Sequence, residues 1–176
     1  MSRPNRILEI GAGYTTPFIL DALRYNEKII NEGNLNPTYF QDMNYDPKFV
    51  IIDNENQGKF DNDLAMKEII DSKYTDFIFD DFQGKGKIIE QKYGKFDFVW
   101  FDCGEAEDYK SFIDEYWEIC SEYVIFHNTY LNGKANINLK NILEGIGDSN
   151  FQWIDIIEPH KLSQGSITII KKVNSY

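Results

Sequence analysis

The chain has 176 residues, of which 42% are hydrophobic and 27% charged, and its formal net charge is -11. This length can bury one core without disulfide or metal crosslinks, so we expect a single domain over residues 1–176. The acidic charge argues against nucleic acid and against an anionic membrane as partners, because both attract Lys and Arg clusters. A small, neutral or cationic ligand is easier to reconcile with it.

The cysteines and the apolar pattern bear on the cellular compartment. Cys103 falls at a predicted strand end and Cys120 on the apolar face of a predicted helix. Two scattered thiols of this kind are typical of a reduced, cytoplasmic protein. No apolar run approaches about 18 residues, so no membrane span is expected. The first five residues lack the pattern of a secretory signal.

Strand-like segments alternate with helix-like ones, which predicts a mostly parallel sheet with helices on both faces. Only residues 158–165 separate the last two strands, too few for a parallel crossover, so these strands are predicted to form an antiparallel hairpin. The expected fold is α/β: a Rossmann-like, seven-stranded, mostly parallel sheet with a C-terminal hairpin. The predicted strands are Arg6–Ile10, Lys48–Ile52, Asp76–Phe79, Phe96–Phe101, Glu122–Phe126, Phe151–Ile157 and Ser166–Lys171.

The segments between the strands carry helical signals. Thr16 and Pro17 suit an N-cap and a first helical position, opening a helix that runs to about Ile30. Residues 31–47, rich in Asn, Tyr, Gly and Pro, are predicted to be an irregular insertion, either a lid or a long loop. Apolar spacing predicts further helices at Leu64–Ile70, Ile88–Tyr93, Tyr109–Cys120 and Asn138–Ile146.

A glycine-rich turn, Gly11-Ala12-Gly13, follows the first strand directly and leads into the first helix. Glycines permit positive φ and leave no Cβ in the way of a ligand, and ligands of open α/β sheets bind at the carboxyl ends of the strands. A dinucleotide fingerprint would need a third glycine where Thr16 stands. A turn that serves only the topology is the other interpretation.

The pattern Glu9-x-Gly11-x-Gly13 resembles motif I of class I S-adenosylmethionine-dependent methyltransferases. The resemblance implies that Glu9, Gly11, Ala12 and Gly13 bind this cofactor. It also implies that Asp53, at the end of the second strand, holds the ribose. Without a ligand, Asp53 would simply cap the turn that follows it.

The resemblance extends to the segment after the third strand. It implies that Asp81 and Phe82 border the adenine, whereas an acid pair at a helix N-terminus is the alternative for Asp80-Asp81.

Two later segments, Phe96–Asp102 and Ile125–Gly133, look like the catechol and caffeoyl-CoA type of O-methyltransferase. The similarity covers about Arg6 to Gly133, and Gly165–Lys171 is similar to the family's last strand. It implies that Asp102 and Asn128 match two of the family's divalent-metal ligands. The third ligand position is His127 here, where the family has Asp, and such a set leans toward a transition metal. The family's catalytic lysine has no match in residues 103–107.

His127 has three interpretations: a general base for a hydroxyl or amine acceptor, a metal ligand, or a structural histidine at a strand end. Together with Asp102 it forms the candidate catalytic pair, and Asp102 is also expected to lie near the cofactor's amino-acid portion or a metal. Tyr14 and Tyr130 are candidates to line the acceptor pocket, or else packing aromatics.

The predicted function is methyl transfer from S-adenosylmethionine to oxygen or nitrogen of a small-molecule acceptor. The alternative is a non-catalytic module that binds the cofactor or joins an assembly while keeping the fold. The related enzymes carry helices before motif I, whereas only about five residues precede it here. Three arrangements are compatible with this difference: the 31–47 insertion covers the site, a second subunit of a homodimer covers it, or the site is open.

Overall fold

The structure, a computed structural model, describes residues 3–33, 35–36, 45–55, 63–103, 106–131, 134–146, 150–157 and 166–173. Its helices are α1 (Thr15–Asn31), α2 (Leu64–Ile70), α3 (Gly86–Tyr93), α4 (Ala106–Tyr116) and α5 (Ile137–Gly145). Its strands are β1 (Arg6–Ile10), β2 (Lys48–Asp53), β3 (Thr75–Phe79), β4 (Phe96–Phe101), β5 (Cys120–His127), β6 (Tyr130–Leu131), β7 (Lys134–Ala135), β8 (Phe151–Ile157) and β9 (Ser166–Lys172).

Seven of these strands form one sheet in the order β3-β2-β1-β4-β5-β9-β8. Neighbours from β3 through β5 are parallel, whereas β9 lies antiparallel to both β5 and β8. The predicted α/β fold, with its C-terminal hairpin, is therefore confirmed. The sheet is most deeply buried along β2, which explains the nearly unbroken apolar run of that strand.

Helices cover both faces of the sheet. Along β1, Leu8 and Ile10 join a core cluster with α3, α4 and α5, whereas Ile7 joins a second cluster with α1 and α2. Because successive strand residues point to opposite faces, the two clusters lie on opposite sides of the sheet. The carboxyl ends of β1, β2 and β4 meet between these two layers.

Stacked and edge-on aromatic rings fill much of the larger cluster. Phe112 of α4 is fully buried, and its ring centroid lies 4.7 Å from that of Phe101 and 5.3 Å from that of Phe126. It also stacks on Tyr116 at 5.6 Å. These contacts hold α4 against β4 and β5, the two strands whose ends carry Asp102 and His127.

The predicted N-cap at Thr16 is wrong. Helix α1 begins at Thr15 after Tyr14, which makes no side-chain cap bond. The Thr16 hydroxyl instead accepts a 2.8 Å hydrogen bond from the Gly13 N–H. Thr16 thus reaches back into the glycine turn, and Pro17 lies within the first turn, where its missing N–H costs no intrahelical bond.

The predicted helical position of Cys120 is also wrong. Helix α4 ends at Tyr116, and Cys120 opens β5 opposite Phe96. Cys120 follows Tyr116 by four residues, a spacing typical of one helix face. Both side chains are buried in the same core cluster, although only Tyr116 is helical. Pairing with β4 nevertheless draws this segment into the sheet, and both thiols of the chain are free.

Two features complete the comparison with the predicted elements. The small antiparallel pair β6–β7 was not predicted, although the intervening Asn132-Gly133 is a dipeptide typical of hairpins. The predicted insertion at 31–47 lies largely outside the described residues. No helix in the described part of the chain is long and apolar enough to cross a membrane.

Truncating the aromatic centre of the core should be costly. Phe112→Ala removes a fully buried ring, so we expect a loss of about 3–5 kcal/mol in the free energy of unfolding, measured by urea denaturation. Phe18→Ala, at a side chain 74% exposed, is the matched control and should cost less than about 0.5 kcal/mol. Equal losses for the two variants would contradict this account of the core.

Candidate functional site

The glycine turn between β1 and α1 sits against the ends of two neighbouring strands. Gly11 has a φ of 92° and donates its N–H to Ile52 O at 2.9 Å. A Cβ added at Gly11 would lie 2.6 Å from Asp102 O and 2.8 Å from Cys103 Cβ. Gly11 is therefore required by the close packing of the turn on β4 as well as by its backbone conformation.

Gly13 differs from Gly11 in both respects. Its φ lies outside the left-handed region, and a Cβ added there would meet no described atom within 4 Å. Neither backbone conformation nor packing against the described residues requires glycine at this position. The open space over Gly13 can therefore admit a ligand close to the backbone.

Asp53, at the end of β2, organises the same turn. Its Oδ2 accepts from Ala12 N–H and its Oδ1 from Glu55 N–H, both at 2.7 Å. The side chain is almost wholly buried, at 9% exposure. Asp53 thus holds the turn in place, and its predicted contact with a ribose stays a prediction.

Glu9 lies beneath the turn with no exposed surface. Its Oε1 accepts a 2.9 Å hydrogen bond from the Thr15 hydroxyl, while Oε2 has no partner among the described residues. Burial raises the pKa of Glu9 to about 8, and the nearby charges of Asp102 and Asp53 act in the same direction. The hydroxyl groups of the two threonines that open α1 lower it only in part. The carboxyl is consequently mostly protonated at neutral pH.

A cleft of about 200 Å³ opens at the carboxyl edge of the sheet. Four of the predicted cofactor residues line it: Gly11, Asp53, Asp81 and Phe82. Phe82 is only 6% exposed, and its ring packs edge-on against Phe101 with centroids 5.4 Å apart. Phe82 therefore belongs mainly to the core and contributes one apolar wall to the cleft.

Seven further residues line the cleft and were not identified from the sequence. Asn54 Nδ2 donates to Asp81 Oδ1, and Gln83 Nε2 donates to Asp108 Oδ1, each at 2.8 Å, so the rim is tied together by side chains. Asn54 and Cys103 come one or two residues after a strand end, and this position is the sequence signal by which they could have been found. The seven are Ile10, Ile52, Asn54, Asp80, Gln83, Cys103 and Asp108.

Cys103 is the one thiol in this cleft. Burial is the main cause that raises its pKa to about 12, and the carboxylates of Asp108, Asp53 and Asp102 contribute in the same direction. A thiol of this kind stays protonated at neutral pH and is a poor nucleophile. The acidic lining of the cleft thus disfavours thiolate chemistry.

Asp102 and His127 form a pair at the ends of β4 and β5. His127 Nδ1 lies 2.5 Å from Asp102 Oδ1, and the side chains are 29% and 21% exposed. The His127 ring lies 5.9 Å from the ring of Trp100, and its backbone carbonyl accepts from the Tyr109 hydroxyl at 3.4 Å. With Nδ1–H donating to the carboxylate, Nε2 carries the free lone pair, which is how a carboxylate orients a histidine base.

The three residues of the predicted metal site, Asp102, His127 and Asn128, follow the ends of β4 and β5 or end β5. In the part of the chain that the structure describes, no three His, Cys, Asp or Glu side chains group so as to hold a metal ion. Asp102 and His127 are bonded to each other, and Asn128 has a φ of 56° with its N–H donated to Ser166 O. The metal site stays a prediction from the sequence.

The two tyrosines predicted to line the acceptor pocket lie in different places. Tyr14 is 96% exposed and borders a largely apolar groove of about 350 Å³ beside Ala12, Gly13 and α2. Tyr130 lines another cleft, of about 150 Å³, and its hydroxyl donates to Asp155 at 2.9 Å. The described residues therefore do not bring the two tyrosines into one pocket.

Comparison with known proteins identifies solved structures that share this fold. No family model and no curated protein matches the sequence. Among solved structures, the O-methyltransferase TomG from Streptomyces achromogenes, involved in tomaymycin synthesis and solved with S-adenosylmethionine, is 15% identical. It aligns over 97% of this chain and 74% of that chain, with a TM-score of 0.68.

Two more structures show the range of proteins with this fold. The O-methyltransferase from Bacillus cereus in complex with S-adenosylhomocysteine is 11% identical over 96% of this chain and 74% of that one, with a TM-score of 0.69. An rRNA methylase from Streptococcus thermophilus is 14% identical over 97% of this chain and 88% of that one, with a TM-score of 0.57. At these identities the likeness establishes one thing: the chain has the Rossmann-like fold of class I methyltransferases.

The buried carboxyl of Glu9 should make the stability of the protein depend on pH. Because its folded pKa is raised from 4.5 to about 8, its stabilising contribution is complete below pH 4.5 and is lost as the pH rises through 8. Glu9→Gln mimics the neutral form and does not lose this contribution. The difference in unfolding free energy between Glu9→Gln and wild type should therefore be up to about 5 kcal/mol larger above pH 8 than at pH 4.5, in favour of the variant.

The measurement is urea denaturation at a series of pH values. Glu118→Gln, at an exposed position between α4 and β5, is the matched control and should follow the wild-type curve. A constant difference between Glu9→Gln and wild type across this range would show that Glu9 titrates normally.

Proposed function

We propose that this protein is an S-adenosylmethionine-dependent methyltransferase whose acceptor is a small molecule carrying a nucleophilic oxygen or nitrogen. The observation that carries the proposal is the glycine turn. Gly11 lines a cleft of strand-end side chains and Gly13 borders the open groove beside α2, in the fold of enzymes solved with S-adenosylmethionine or S-adenosylhomocysteine. Ligands of open α/β sheets bind at this edge.

The proposed cofactor site uses Glu9, the turn at Gly11–Gly13, and the residues around the cleft. Gly13 leaves room at the backbone, and Asp53 keeps the turn in place through the Ala12 N–H. Asp53 then offers its remaining lone pairs to ribose hydroxyls, a role that its position at the end of β2 supports. Asp81 supplies an acceptor on the cleft rim and Phe82 an apolar wall for the base.

When bound, S-adenosylmethionine supplies a methyl group already activated on a sulfonium. The chain itself then has to align the acceptor, exclude water and take up the acceptor's proton. In our proposal His127 accepts that proton at Nε2. Asp102 is the positioning residue, because its carboxylate holds Nδ1.

A non-catalytic module that binds the cofactor is the second candidate. The observation in its favour is that residues 103–107 contain no lysine to match the catalytic lysine of the O-methyltransferases that the sequence resembles.

The proposal of a small-molecule acceptor is supported by the net charge of -11, which disfavours a polyanion such as RNA. The rRNA methylase of the same fold makes RNA the acceptor to include as a negative control.

Gly13→Ala tests the cofactor site directly. Because the added Cβ would meet no described atom, the variant should unfold at the same urea concentration as wild type. A ligand that approaches the Gly13 backbone would clash with it, so we expect the Kd for S-adenosylhomocysteine to rise at least about tenfold in calorimetry.

Gly145→Ala is the matched control for this variant. A Cβ at Gly145 in α5 also meets no described atom, so affinity for S-adenosylhomocysteine should be unchanged. Absence of binding to the wild-type protein would overturn the proposed function. Unchanged binding by Gly13→Ala would place the ligand elsewhere.

His127→Gln tests the proposed base. Loss of a general base lowers the rate by about 10²- to 10⁴-fold, so methyl transfer to a panel of phenols, catechols and amines should fall by this factor, while the Kd for S-adenosylhomocysteine changes little. Asp102→Asn should lower the rate less than His127→Gln, because it alters the orientation of the base without removing it. The readout is transfer of labelled methyl as a function of pH.

Two outcomes would contradict this assignment. Equal rates for wild type and His127→Gln would exclude His127 as the base. Cofactor binding without transfer to any acceptor, RNA included, would favour the non-catalytic module.

A further inference from the structure

Three carboxyl groups converge where the ends of β1, β2 and β4 meet. Glu9 lies in β1, Asp53 ends β2 and Asp102 directly follows β4, and the two aspartates act electrostatically on Glu9. Asp53 is bonded to two backbone N–H groups, and Asp102 is bonded to His127. Among the described residues, Glu9 is the member of the three with a buried oxygen that has no hydrogen-bond partner.

Two buried polar atoms lie on neighbouring strands at this point. Glu9 of β1 pairs with Trp100 of β4 in the parallel register, so their side chains project from the same face of the sheet. Glu9 Oε2 and Trp100 Nε1 are both buried without a hydrogen-bond partner among the described residues. Unpaired buried groups are costly and are concentrated at functional positions, where a ligand or an ion changes their state.

The local charge around Glu9 is one-sided. The charged groups that act on it are both acidic: Asp102, directly after β4, and Asp53 of β2. From α1 it meets the hydroxyls of Thr15 and Thr16, which are neutral donors. A neutral Glu9 carboxyl is the low-energy form in such surroundings, and a positive charge placed at the strand ends would favour its ionised form.

We propose that binding of the positively charged end of S-adenosylmethionine is linked to loss of a proton from Glu9. In the free protein the carboxyl holds its proton, and in the complex it is the negative counter-charge beneath the glycine turn. The proton passes to the solvent buffer, so no other reactant is needed. This inference rests on the proposed cofactor site and adds a pH dependence of affinity to it.

The linkage has a measurable consequence at neutral pH. Because the ionised form binds more tightly, the Kd for S-adenosylmethionine should fall by up to about tenfold per pH unit between pH 6.5 and 7.5. Burial holds the pKa of Glu9 at about 8 in the free protein, so most molecules enter this range protonated. Each binding event should then release between about one half and one proton.

Calorimetry in phosphate and in Tris at pH 7 measures this release, because the two buffers take up a proton with different heats. S-adenosylmethionine is the charged probe. 5′-Methylthioadenosine is the control ligand, since it keeps the nucleoside and lacks both the sulfonium and the amino-acid group. We expect proton release with the former and almost none with the latter, and this comparison in the wild-type protein needs no variant.

Two variants identify the group that loses the proton. Glu9→Gln should bind S-adenosylmethionine with no proton release and with a Kd that does not vary with pH. His127→Gln should retain the release, because His127 is hydrogen-bonded to Asp102 and not to Glu9. A thermal unfolding curve for each variant shows whether it is folded.

The outcomes separate this inference from the proposed function. Binding of S-adenosylmethionine without proton release, or a release that is lost in His127→Gln and retained in Glu9→Gln, would overturn the role of Glu9 and leave the cofactor site standing. Failure of both ligands to bind the wild-type protein would overturn the proposed function and this inference with it.

Discussion

The close approach of Gly11 to the end of β4 is the constraint on which the site depends. The turn after β1 lies so near Asp102 O that no Cβ fits between them, and its N–H is bonded to β2 through Ile52 O. Asp53 adds a second tie from β2 to the turn at Ala12. Three parallel strands are thereby locked together at their carboxyl ends, beside the cleft that Gly11 lines.

The same close packing explains the electrostatics of the site. Locking the strand ends together buries Glu9 completely and brings it under the influence of Asp53 and Asp102, so its pKa rises to about 8. The acids that line the cleft and the raised pKa of its half-buried Cys103 continue this pattern. An acidic, tightly packed strand edge suits a cationic ligand and disfavours thiolate chemistry.

Much of the fold and the glycine turn could be predicted because their signals are local. The run from Arg6 to Gly13 specifies a buried strand and a turn by itself, and the short gap at 158–165 excludes a parallel crossover. Predictions failed where a long-range contact overrode a local pattern. Cys120 matches the apolar face of a helix, yet pairing with β4 places it in β5. Thr16 was predicted to cap α1, but its hydroxyl accepts a hydrogen bond from the Gly13 N–H instead.

The sequence by itself therefore determined the order of strands and helices, the glycine turn, and the acids at the strand ends, because periodicity and turn chemistry act over a few residues. Only the tertiary structure decided which of these side chains meet. It joined Asp102 to His127 across two strands, buried Glu9 with one oxygen unpaired, separated Tyr14 from Tyr130, and drew Phe82 into the core. These relations depend on strand register and on packing between distant segments, and no local pattern in the chain encodes them.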